Sequence, residues 1–166
     1  SINQAFEILT EFLLSRRSAE EDFEQKNGFS ILLRIILSFK ANLVTYQLYM
    51  QIYNLAHALN TDKAKISLIT NILLNMNVWC KASLHKQVKI LKHWSRSLIP
   101  SFDPLLKPCI SLWMLTNQLV IYNLFNPDKE KKEYMDGADI LIRLISSYTS
   151  TPTTSFNNFA LIISLM

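Results

Sequence analysis

Gly28 and Gly137 are the only glycines in 166 residues, and five prolines are the only other strong breakers. Glycine lets a chain adopt left-handed backbone and bring its main chain close to a phosphate. Folds built on tight hairpins or phosphate-binding loops therefore lack their raw material here. What remains is long uninterrupted stretches rich in Leu, Ile, Asn, Ser and Lys. Hydrophobic residues make up 49% of the chain and charged ones 18%, enough apolar material to bury a core, so wholesale disorder is excluded. The sequence specifies an all-α protein.

The helices are read from apolar spacing and end signals. Ile2, Phe6, Leu9 and Leu13 fall on one face of a first helix. Ser18, with Glu21 three residues on, has the form of a capping box opening a short acidic helix to about residue 25. Asn27-Gly28 is a turn before a helix over 29–39. Asn42 is placed to cap a long helix to Leu59, and Thr61 or Asp62 to start one ending near Asn75. After a break around 76–83, Ser83 caps a helix over 84–99 that Pro100 stops. Asp103-Pro104 and Asn126-Pro127 each set a cap before a proline at the first helical position. They open a segment running to Phe125, where Pro108 sets the start of the helix proper a few residues later, and one running, with a break at Gly137, to Tyr148. A polar loop over 149–155 leads to a last apolar helix ending at Met166.

Segments 27–36 and 136–145 align without gaps. Each has a turn residue, Gly, two variable positions, then Ile-Leu-aliphatic-Arg-aliphatic-Ile. Their separation is a few repeats of roughly 40 residues, as in armadillo or HEAT arrays. The expected architecture is an armadillo/HEAT-like helical-repeat superhelix, right-handed, of about seven to nine helices. Residues 1–166 then form a single segment of a larger protein.

Windows 41–61, 108–127 and 144–166 contain no Asp, Glu, Lys or Arg, which raises the question of membrane spans. Each carries several amides or hydroxyls that are costly against lipid and ordinary in packed helices, so spanning segments are rejected. Cys80 and Cys109 have no paired spacing, no Asn-x-Ser/Thr acceptor occurs, and no signal peptide opens the chain. A reducing, cytoplasmic setting follows.

No Gly-x-Ser-x-Gly, His-Glu-x-x-His, phosphate loop or Cys-x-x-Cys is present. His57 reads as a core or boundary histidine within an apolar helix, and Cys80 beside Trp79 as a small buried hydrophobe. No catalytic residue, cofactor or metal is expected. Tyr46, Tyr49, Tyr53, Trp113, Tyr122 and Phe125 sit at helical spacings and are read as packing residues.

Charge is unevenly placed. Residues 1–26 hold six of the thirteen acids, while residues 61–108 carry eight Lys or Arg against Asp62 and Asp103. On a helical wheel of 84–99, Lys92, His85, Arg96, Lys89, His93 and Lys86 occupy consecutive positions, opposite Leu84, Val88, Leu91, Trp94 and Leu98. Such an arc is commonly just a solvated face. As a contact surface its anchors are Lys86, Lys89, Lys92, His93 and Arg96, and its partners an acidic protein surface or an anionic membrane. Nucleic acid is not expected, because no recognition module accompanies the arc.

The run Leu73-Leu74-Asn75-Met76-Asn77-Val78-Trp79, followed by Gln87-Val88 at a helix start, resembles the armadillo-like region upstream of the PH-like and BEACH domains in the beige and neurobeachin family. Gly28-Phe29-x-Ile31-Leu32-Leu33 is similar to the glycine-led, Leu-rich helix of that region, and the high Asn, Ser and Lys content suggests a fungal member. The resemblance implies a non-catalytic scaffold segment of a large cytoplasmic protein, peripheral on membranes, in vesicle trafficking and protein sorting. It supplies no site residues. The alternative is a regulatory helical module of another cytosolic assembly, formin-like, binding a GTPase or other protein.

Overall fold

Ser1 opens the chain with a reciprocal cap. Its hydroxyl accepts from the Gln4 N–H at 3.3 Å, and the Gln4 side chain accepts from the Ser1 amino group at 2.8 Å. Helix α1 (Ile2–Leu14) follows. In the computed structural model, which describes residues 1–148, all regular structure is helical. The helix expected near the C-terminus lies outside the described residues. By contacts the chain divides into two units, Ser1–Lys81 and Ala82 onward.

The first unit continues with α2 (Arg17–Gln25), α3 (Gly28–Leu37), α4 (Tyr46–Ala58), α5 (Asp62–Leu68) and α6 (Met76–Trp79). The expected capping box at Ser18 is not formed. Helix α2 begins at Arg17 without a side-chain cap, and Glu21 instead pairs with Arg17 one turn back, 3.2 Å away. Asn42 likewise caps nothing. It lies in a 3₁₀ turn, and Thr45 caps α4 through the Leu48 N–H at 3.0 Å. Thr61 caps α5 as expected, on the Ala64 N–H at 3.3 Å.

Helix α5 passes into a π turn (Ile69–Leu73), so its helical path stops just short of the expected end near Asn75. Trp79 then folds back, its indole N–H shared between the carbonyls of Ile72 and Leu73 at 3.1 and 3.0 Å. Two chain-end acceptors are thereby satisfied inside the core. The Trp79 ring meets Tyr49 edge to face at 5.1 Å, and both residues are fully buried. Asn75 fixes the turn between, accepting from the Asn77 N–H at 3.1 Å and donating to the Asn71 carbonyl at 2.9 Å. The 73–79 run is thus a local lock that reverses the chain. Lys81 closes the unit by donating to the carbonyls of Leu37 and Phe39, where a cation complements the C-terminal end of α3.

The second unit comprises α7 (Leu84–His93), α8 (Ile99–Ser101), α9 (Asp103–Leu106), α10 (Leu112–Phe125) and α11 (Lys132–Ser147). Ser83 stands at the N-cap of α7 by backbone geometry, without a side-chain cap bond. Pro100 does not stop the helix as expected. It lies within α8, and a π turn (Trp94–Leu98) precedes it, with the Ile99 N–H reaching the Trp94 carbonyl. Proline removes one donor and crowds the carbonyl four residues back. One extra residue in the turn gives that carbonyl room.

Helix α10 is capped by Ser111 on the Met114 N–H at 3.1 Å, apart from the short proline-led α9. Helix α11 begins at Lys132 rather than just after Pro127. Asn126 is buried instead, donating to Gln87 Oε1 at 2.8 Å and the Tyr122 carbonyl at 2.9 Å. No break occurs at Gly137. The helix runs through it, and the missing side chain serves packing: a Cβ there would lie 2.7 Å from Tyr122 Cζ and 3.3 Å from Leu91 Cδ1. The glycine is a contact device and leaves the backbone regular.

Candidate interaction surface

Helix α7 presents the arc because its other residues are consumed by the core. Val88, Ile90, Leu91, Trp94 and Leu98 are buried, and Gln87 is buried too, donating to the Ala82 carbonyl at 2.8 Å. Lys86, Lys89, Lys92 and Arg96 are exposed, and His93 is half-buried. Four of the five proposed anchors are thus solvent-exposed, and the fifth, His93, is only half so.

The sequence did not reveal what lies beside that arc. Helix α11 packs along α7 in the same direction, since His85 meets Glu133 near both starts while Arg96 shares a groove with Arg143 farther on. The His85–Glu133 separation is 3.9 Å. Lys92 and Arg96 line the groove together with Asp136 and Asp139, and Asp139 holds Arg143 at 3.0 Å. A π turn winds more slowly than an α turn, so Arg96 is swung back toward Lys92 and this mixed groove. His85, Lys92 and Arg96 of the arc thus border α11's carboxylates. The coupling was hard to foresee, because Glu133, Asp136 and Asp139 lie some forty residues downstream in a helix expected to break at Gly137.

A second feature departs from the packing role expected of the α10 aromatics. Trp113, Val120 and Leu124 share one face of α10, and Trp113 and Leu124 are 78% and 73% exposed. Phe125 is exposed as well, whereas Tyr49 and Tyr122 are buried as packing residues. Helix α10 spreads apolar residues round its whole cylinder with Asn117, Gln118 and Asn123 among them, so periodicity gives no inward direction and does not single out the outward aromatics.

The groups that would carry chemistry are dispersed. His57 is exposed rather than placed in the core. It meets Tyr53 edge to face at 4.6 Å, and its pKa is lowered by partial burial and then by Lys65. Cys80 is buried, and loss of solvation pushes its thiol up to about 12, the wrong direction for a nucleophile. Cys109 is exposed. Among the described residues no group of three or more His, Cys, Asp or Glu is placed to hold a metal ion. No helix among them is long and apolar enough to cross a membrane. No protein-family model, curated protein or solved structure matches the chain.

Proposed function

We propose that this chain is a non-catalytic helical scaffold segment, an armadillo-like stack of the kind that stands upstream of PH-like and BEACH domains. It acts in vesicle trafficking and protein sorting on the cytoplasmic side of membranes. The observation that carries the reading is the α7 arc: exposed cations on a helix whose opposite side is locked in the core, and therefore presented in a fixed pattern. An anionic membrane or acidic protein surface complements it, with an affinity that falls as salt rises.

The exposed Trp113 and Leu124 favour a second reading, a regulatory helical module that docks a partner through an apolar hot spot. One sedimentation experiment with phosphatidylserine vesicles, at low and high salt, separates the two. The Lys89→Glu/Arg96→Glu protein is expected to lose about tenfold in affinity with an unchanged helical spectrum. A Trp113→Ser protein is expected to bind vesicles like the parent. Undiminished low-salt binding by the double reversal would reject the arc as a membrane contact.

A further inference from the structure

A groove of about 350 Å³ runs between α1 and α4 in the first unit, with buried Phe6 and Leu55 on its floor and exposed Ala58 at its α4 end. Its α1 edge carries Glu7 and Glu11, both exposed and one helical turn apart. Its α4 edge carries Gln51, whose carboxamide oxygen is buried and has no hydrogen-bond partner among the described residues. An unmet buried acceptor costs on the order of 1–3 kcal/mol, so a donor brought to it contributes directly to binding. The terminal torsion of a Gln side chain is soft, so the amide of this groove-lining residue can turn to meet a donor.

We propose that this groove receives an amphipathic helix of a partner protein, with apolar side chains on the floor and Lys or Arg at i and i+4 against Glu7 and Glu11. The cation spacing follows from the carboxylates: in an occupant lying along α1, the equal rise per residue sets cations four apart opposite carboxylates four apart. Charge complementarity selects a basic occupant, because the groove's ionisable residues are both acidic. The apolar floor selects a helix with an apolar stripe over a merely cationic coil. An N–H donor of the occupant meets Gln51. The proposal rests on the reading of the chain as an interaction scaffold, but uses a surface in the other unit from the α7 arc.

The test is fluorescence anisotropy of the full chain with a labelled helical peptide of Leu and Lys, its lysines at i and i+4. Two controls are a peptide with Glu replacing Lys and one of the same composition shuffled to remove the apolar stripe. The Leu/Lys peptide is expected to bind about tenfold or more tightly than either control. Glu7→Gln/Glu11→Gln should erase that advantage, as should Ala58→Trp, which fills the groove at the exposed end of α4. Removing the same two charges at Glu21 and Asp22 on α2 should leave affinity within about twofold. Equal binding of the shuffled peptide, or full affinity in Glu7→Gln/Glu11→Gln, overturns the proposal. The Lys89→Glu/Arg96→Glu protein should retain peptide binding, so failure of the arc and failure of the groove give different results.

Discussion

Glu20 is wholly buried because three N–H donors from one loop converge on its carboxylate. The Asn60 N–H lies 2.7 and 2.9 Å from its two oxygens, the Asn60 side chain donates at 2.8 Å, and the Thr61 N–H at 2.9 Å. The carboxylate thus satisfies backbone donors just ahead of α5, where the helix dipole also favours a negative charge. The Glu20→Ala change should destabilise the fold by about 2 kcal/mol, because it removes the acceptor of three part-buried N–H donors. Urea unfolding followed by circular dichroism measures the loss, and a shift below about 1 kcal/mol would mean that water replaces the clasp. The same economy appears at Lys129, which donates to the carbonyls of Asn123 and Asn126 at the end of α10 and sits 4.6 Å above the Tyr134 ring. None of these partnerships is visible in the residue types alone, since each joins a charge to a main-chain group chosen by the fold.

At the scale of elements, the two glycines explain why 27–36 and 136–145 look alike. Gly28 opens α3 and Gly137 lies inside α11, so the two segments differ in where the helix begins. They share a buried face instead: Gly28, Phe29, Leu32 and Ile36 in one, Gly137, Ala138, Leu141 and Ile145 in the other. Each glycine admits an aromatic ring, with Phe23 2.5 Å from a Cβ at 28 and Tyr122 against 137. The residue that takes the left-handed backbone is Asn27, at φ 55°. Ala at 137 would gain about 1 kcal/mol of helix propensity. The intrusion on Tyr122, whose hydroxyl is fixed by the Tyr134 carbonyl at 3.0 Å, should outweigh it. Gly137→Ala is therefore expected to lower stability by about 1–3 kcal/mol. A raised melting temperature would show that Tyr122 yields freely.

For the whole molecule, the two cysteines report on both units at once, Cys80 in the first and Cys109 in the second. A thiol reagent at neutral pH should label one site per native chain quickly and two in denaturant, and Cys109→Ser should remove the fast phase. Rapid labelling of Cys80 in the native protein would contradict its burial and raised pKa. Helical class, most helix positions, the buried face of α1 and the outward side of α7 were legible in the chain, because apolar spacing and scarce glycine act locally. The cap at Thr61 belongs to the same local chemistry, whereas the cap of α10 falls at Ser111 and not at Asp103. Packing alone decided that α11's carboxylates flank half of the cationic arc, that Trp113 and Leu124 are left outside, and that α1 and α4 frame a groove with acids on one edge. Those outcomes depend on which helices become neighbours, a long-range choice made by burial of the whole core that no single stretch of sequence encodes.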